Sequence, residues 1–127
     1  MLTPPGTLPD VAAAVDGVVK ETAHVRLDPP PPPRALAQEQ RAWFLATIDT
    51  MHEADALVAE VSGANASAAW AIAWLLARGR LVILLCSREQ REKLSPIYAG
   101  NPSPWQRILV YEGANDLRTQ LSALLAP

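Results

Sequence analysis

Hydrophobic residues fall along this chain in two rhythms, and the change from one to the other marks out its elements. Val11, Val15, Val18 and Val19 follow Pro9-Asp10 at the spacing of one helical face, which predicts a helix capped by Asp10 and running to about Glu21. Residues 23–27 alternate and predict a short strand. A second helical face, Leu36, Phe44, Ile48 and Met51, runs through residues 34–54, which contain neither Pro nor Gly. The rhythm then disappears. ALVAEV at 56–61 and LVILLC at 81–86 are apolar throughout except for Glu60, as expected of strands buried on both faces of a parallel sheet.

Between those strands lie a loop and a helix of small and apolar residues that ends at Gly79, a residue suited to a left-handed terminating position. A polar helical stretch over 88–94 follows, then a loop holding Pro96, Gly100, Pro102 and Pro104, a strand over 107–111, and a closing helix with Leu117, Leu121, Leu124 and Leu125 as its buried stripe. Strands alternating with helices through right-handed crossovers predict a three-layer α/β/α sandwich. It is flavodoxin- or Rossmann-like, around a mostly parallel sheet of about four to five strands. The 127 residues make one domain, with residues 29–33, all proline, as a stiff extended connector.

In such a sheet ligands bind beyond the carboxyl ends of the strands, where strand order reverses, so the loop after Val61 is the first place to look. There Ser62-Gly63-Ala64-Asn65-Ala66-Ser67 opens a helix. Its small residues let a ligand approach the backbone, and the free N–H groups of a helix start suit an anion such as a phosphate. Capping by Asn65 and Ser67 explains the same composition, and the GxxxxGK[ST] phosphate loop is missing.

Composition narrows the partners. Apolar residues are 50% and charged residues 19% of the chain, with a net charge of -2, which describes a globular protein and not a disordered one. Eleven Lys and Arg against 13 Asp and Glu, without clusters, leave no basic surface for nucleic acid. No stretch reaches the roughly 18 to 20 apolar residues of a membrane span, and MLTPPGTLPD lacks the charged and apolar regions of a signal peptide. A cytoplasmic location without membrane contact is expected. Cys86 is the sole cysteine and sits in an apolar strand, so it is read as a small core hydrophobe. His24 and His52 lack companion ligands, and neither a metal nor a cofactor is expected.

The segment DALVAEVSGANASAAWAIAWLLARGRLVILLCSR resembles the core of the nucleoside 2-deoxyribosyltransferase and deoxynucleoside 5'-monophosphate N-glycosidase family, in which it reads approximately aDvvvAevs…sxGxGxExGxAxaxgkpvl. Without a gap, Ala54-Asp55 matches "aD" and Ala59-Glu60-Val61 matches "Aev", while Arg78-Gly79-Arg80 falls near "gk". The upstream TIDTMHEAD, the strand RILVYE and the terminal LRTQLSALL also suit the family, and Gly6-Thr7-Leu8 resembles a worn form of its first-strand loop. The likeness is strong from about residue 44 to 87 and weak before 34. It implies a nucleoside or nucleotide ligand and chemistry at an N-glycosidic bond. It also implies an oligomer, either of identical chains or with an active paralogue, in which neighbours complete each site. Candidate ligand contacts are Gly6, Thr7, Glu60, Ser62, Gly63, Asn65 and Ser67.

Two departures stand out. The family's nucleophilic glutamate in GxGxExG falls on Ala71, and its glycines fall on Ser67, Ala69 and Ala73. The family aspartate that helps to orient that nucleophile falls on Thr47, with Asp49 out of register. Pro4 and Pro5 also make a central first strand improbable, so either the chain start is clipped or part of the pocket is lost. These changes predict a family member without catalysis and with no catalytic residue to assign, acting as a nucleotide-binding or structural subunit. The alternatives are an active enzyme using a displaced carboxylate, Glu60 or one from a neighbouring subunit, and a protein–protein interaction module without ligand. Glu60 is favoured as a brace or ribose contact. Asp55 is expected to cap or pair, and His52 to sit at a helix end. Trp70 and Trp74, four apart on one helical face, are expected to fill the cavity or to bury against another subunit.

Overall fold

A computed structural model describes residues 9–21, 37–62 and 66–126. The expected strand at 23–27, the proline run and the Gly6-Thr7 loop lie outside the described residues. Among these described residues, five α-helices and three strands follow in the order α1 (Pro9–Glu21), α2 (Ala37–Glu53), β1 (Ala56–Glu60), α3 (Ala66–Leu76), β2 (Leu81–Ser87), α4 (Pro96–Ala99), β3 (Gln106–Tyr111) and α5 (Gly113–Leu125). The strands pair in parallel in the order β1-β2-β3, with Ala59 opposite Leu84 and Leu84 opposite Ile108. The described sheet therefore has three strands where about four to five were expected, and its order shows no reversal among the described residues.

Strand geometry sends successive side chains to opposite faces, so the unbroken apolar runs of β1 and β2 resolve into two sets. Val58, Ile83, Leu85, Leu109 and Tyr111 face α1 and α5, where they meet Val11, Val15, Leu117 and Leu121. Leu57, Ala59, Val61, Val82, Leu84 and Cys86 face the opposite way, against Met51 of α2, Ile72 and Leu75 of α3, and Leu94. Both faces of the sheet are covered, which gives the α/β/α sandwich and explains why neither strand shows alternation in its sequence.

The helices differ from expectation in instructive places. The valine stripe of α1 is buried as its spacing requires, and Asp10 lies in the first turn of the helix instead of capping it from outside. In α5 the buried stripe is Leu117, Leu121 and Leu125, whereas Leu124, in the last turn, is 40% exposed although its spacing puts it on the same side as Leu117. In α2, Leu36 of the expected face lies outside the described residues; among the described ones only Met51 is fully buried and Phe44 is 44% exposed, so the described helix meets the core toward its carboxyl end. The polar stretch after β2 is a tight 3-10 helix over Arg88–Lys93. The proline-rich loop contains the single turn α4, whose start is capped by Ser95 Oγ accepting from the Ile97 N–H at 3.3 Å.

Gly79 ends α3 with φ of 67°. The Arg80 N–H donates to the Leu75 carbonyl and the Gly79 N–H to the Leu76 carbonyl, the paired bonds of a Schellman motif. Arg80 then ties this corner to the start of β1, its Nη1 donating to the Ala54 carbonyl at 2.8 Å and lying 4.0 Å from Asp55. Gly79→Ala is expected to cost about 1 to 2 kcal/mol from left-handed backbone strain, read as a lower midpoint in urea denaturation with an unchanged slope.

Candidate functional site

Glu60 is the last residue of β1 and the one charged residue in that strand. Its Oε1 accepts from the backbone N–H of Ser62 at 2.5 Å, and its Oε2 accepts from the Tyr111 hydroxyl at 2.6 Å. Tyr111 ends β3, so the second bond crosses over β2 to join the outer two of the three described strands. Ser62 adds a further link, its Oγ accepting from the Ser87 N–H at 2.9 Å while lying 3.3 Å from the Ser87 hydroxyl. The Val61 N–H still bonds the Leu85 carbonyl at 2.8 Å, so the β1–β2 ladder passes from backbone to side chain at Ser62.

Around this network burial dominates the electrostatics. Tyr111 is 6% exposed, and burial first, then the Glu60 carboxylate as hydrogen-bond acceptor and as charge, push its phenol well above the ordinary value. The Cys86 thiol is pushed up chiefly by burial and secondarily by Glu60, with a hydrogen bond from Ser62 and the charge of Arg91 opposing. Arg88 and Glu112 form a 2.7 Å ion pair at the rim, with both side chains largely exposed. Asp116 on α5 accepts from the Glu112 N–H at 2.8 Å and from Gln120 at 2.9 Å, and these bonds hold its carboxyl below the usual range. Among the described residues no group of three or more His, Cys, Asp or Glu could hold a metal ion. No helix among them is long and apolar enough to cross a membrane.

Of the candidate ligand contacts, Glu60 and Ser62 come together at the carboxyl end of β1. Gly6, Thr7, Gly63 and Asn65 lie outside the described residues, and Ser67 is described only as part of the first turn of α3. Ala71 packs against the core on the α2 and α3 side of the sheet. The Thr47 hydroxyl donates to the Trp43 carbonyl of its own helix at 2.8 Å, and Asp49 is exposed. Tyr111 and Ser87 were not flagged from the sequence. The available signal was a tyrosine closing an apolar strand, where a polar tip needs a partner.

The indoles sit in a row of rings shared by α2 and α3. Phe44 and Trp70 have centroids 5.4 Å apart, Trp70 and Trp74 6.5 Å, and His52 meets Trp74 edge-on at 5.0 Å. The Arg78 guanidinium lies 3.5 Å from the Trp74 ring centroid. Trp70 remains 42% exposed and Leu45 53% exposed, so the row ends in an apolar surface.

Comparison with known proteins gives this geometry a setting. No protein-family model matches the chain. It is 34% identical over 85 residues to a Thermofilum pendens protein that carries the name putative 2'-deoxynucleoside 5'-phosphate N-hydrolase 1, a match covering 67% of this chain and 59% of that relative's length. A solved structure of a Clostridium botulinum CMP N-glycosidase superposes with a TM-score of 0.67 over 96% of this chain and 97% of its own, at 14% identity, a likeness of fold. The relative's name supports the likeness to the nucleoside 2-deoxyribosyltransferase-like family, and the solved structure supports the shared fold.

A phenol whose folded value is raised contributes stability that is complete below pH of about 10 and is lost as pH rises beyond it. Denaturation at a series of pH values above 9 is expected to show stability falling in the native protein. Tyr111→Phe should flatten that fall, leaving a residual slope from Cys86 and Tyr98, both also raised by burial.

Proposed function

We propose that this chain is a nucleoside 2-deoxyribosyltransferase-like protein that binds a nucleoside or nucleotide beyond the carboxyl end of its sheet without cleaving it, as a binding or structural subunit. Enzymes that break an N-glycosidic bond generally place a carboxylate beside the anomeric carbon to meet the positive charge that develops there. The observation that carries the reading is Ala71, a methyl group packed against the core where the family pattern has its nucleophilic glutamate. Thr47 supports it, since its hydroxyl is spent on its own helix. Glu60 supports it too, as a brace: both of its oxygens already hold a donor.

The relatives' names speak of N-hydrolase and N-glycosidase activity, and the match spans under two thirds of the first one's length, so these activities enter only as the rival reading. In that rival Glu60, or a carboxylate lent by a neighbour, does the chemistry. The whole chain is taken as a single domain of this type. Its lone buried thiol suits the reducing cytoplasm. The exposed ring row of Phe44 and Trp70 supports self-association, or pairing with an active paralogue, through α2 and α3.

Incubation with nucleosides and their 5'-monophosphates, with base release followed by chromatography, is expected to show no release above the spontaneous rate. Release that falls at least about 100-fold in Glu60→Gln, with the fold intact, would replace this reading by the displaced-carboxylate one. Calorimetry should give a binding heat with at least one of these compounds. No heat with any of them, together with heat on mixing with a protein partner, favours the ligand-free interaction module.

Light scattering after gel filtration tests the ring surface separately. The native chain is expected above monomer mass, and Trp70→Ser is expected to shift it toward monomer. A native monomer removes the self-association proposal.

A further inference from the structure

The Tyr111 hydroxyl asks for an explanation that packing does not supply. Its ring lies in the core with Val11, Val58, Leu85 and Leu117, and a phenylalanine would fill that space as well. Glu60 poses the mirror problem, since Val58, its neighbour on the same face, is fully buried. Each polar group satisfies the other across roughly 10 Å, two strand spacings. A pair of apolar residues would do so at no desolvation cost. What the pair adds lies at its other end: Glu60 Oε1 holds the Ser62 N–H, and Ser62 Oγ holds the Ser87 N–H. The chain from Tyr111 through Glu60 to Ser62 and Ser87 touches all three strands at the point where β1 gives way to the segment leading into α3.

We infer that Tyr111 is a positioning residue for the ligand-facing end of β1: acting through Glu60, it fixes where Ser62 presents its hydroxyl and its backbone. Ligand affinity then depends on a phenol that has no need to touch the ligand. The binding half of this inference rests on the function proposed above; the positioning half does not.

Besides Glu60, the charged or titratable groups acting on the Tyr111 phenol are Asp10 from α1 and, from the other face of the sheet, Cys86 of β2. Neither of them replaces the phenol as a donor to Glu60 in the described structure, so loss of the hydroxyl leaves Oε2 without its partner. The neighbouring Val61 amide is bonded to the Leu85 carbonyl and serves as an internal reference.

Amide exchange followed by NMR tests this residue by residue. Tyr111→Phe is expected to speed exchange of the Ser62 and Ser87 amides about five- to tenfold relative to the amides of Val61 and Leu84, a part of what one hydrogen bond to a charged group is worth, because the Ser62–Glu60 bond itself is kept. Glu60→Ala should do the same, and combining the two should add little further. Glu60→Gln should stay close to the native protein, because an amide can accept from Ser62 with its oxygen and donate to the phenol oxygen with its nitrogen.

A merely structural tyrosine would raise exchange evenly through β2 and α5, and would gain nothing from glutamine over alanine at 60. That pattern, or an unchanged Ser62 amide in Tyr111→Phe, overturns the inference. Calorimetry with the common deoxynucleoside 5'-monophosphates completes the test, Tyr111→Phe being expected to weaken whichever compound the native chain binds by a similar five- to tenfold. If the native chain binds none of them, the binding proposal fails while the exchange data still decide the positioning role. If the chain binds but Tyr111→Phe binds equally well, the positioning role fails while the binding proposal stands.

Discussion

A carboxylate at the end of an apolar strand must find donors, and the way Glu60 finds them organises this end of the molecule. Unpaired, it would add a desolvation penalty to a strand whose other residues lie in or against an apolar core. Held by a backbone N–H and a phenol, it turns that liability into a tie between β1 and β3. The same tie fixes the first residue of the segment leading into α3. Packing sets where the strands lie; this hydrogen-bonded bridge sets where their ends point.

The bridge is available because the sheet is parallel and covered on both faces. Parallel strands bring their carboxyl ends to one edge, and the register sets Glu60 beside Leu85 and Tyr111 beside Ser87, with both polar side chains on the α1 and α5 face. Ala71 lies on the other side, on α3, partly buried against the core between that helix and the sheet. The family pattern puts its nucleophile on the helix that carries Ala71. In this chain that helix contributes a packed methyl there and turns its indoles toward Phe44 and His52. Glu60, on the opposite face of the sheet, holds a donor on each of its oxygens.

Most of the fold could be read from the residues. Near-continuous apolar runs identify parallel strands, the spacing of Val11 to Val19 identifies a buried helical face, and Gly79 marks its turn. The stripe on α2 was less legible, because the spacing of Phe44, Ile48 and Met51 says they share a side but not how much of that side the core reaches. Leu124 misled for the same reason, since spacing puts it on the side of Leu117 but does not say that the core reaches it in the last turn. At the site, Glu60 was conspicuous as the one charge in an apolar run. Tyr111 and Ser87 were not, because their meaning depends on register between segments far apart in sequence. Ala71 carries information only against the family pattern, since an alanine in a helix of alanines attracts no notice alone.

The central claim is that this scaffold holds a sugar site without a carboxylate free to work on it. A crystal structure with a deoxynucleoside 5'-monophosphate bound addresses it directly. The account predicts that Glu60 keeps its bonds to Tyr111 and Ser62, and that no carboxylate oxygen of either subunit comes within about 3.5 Å of the ribose C1'. A carboxylate oxygen in line with the base at that distance, whether Glu60 released from its bridge or a side chain from a neighbouring subunit, would contradict it.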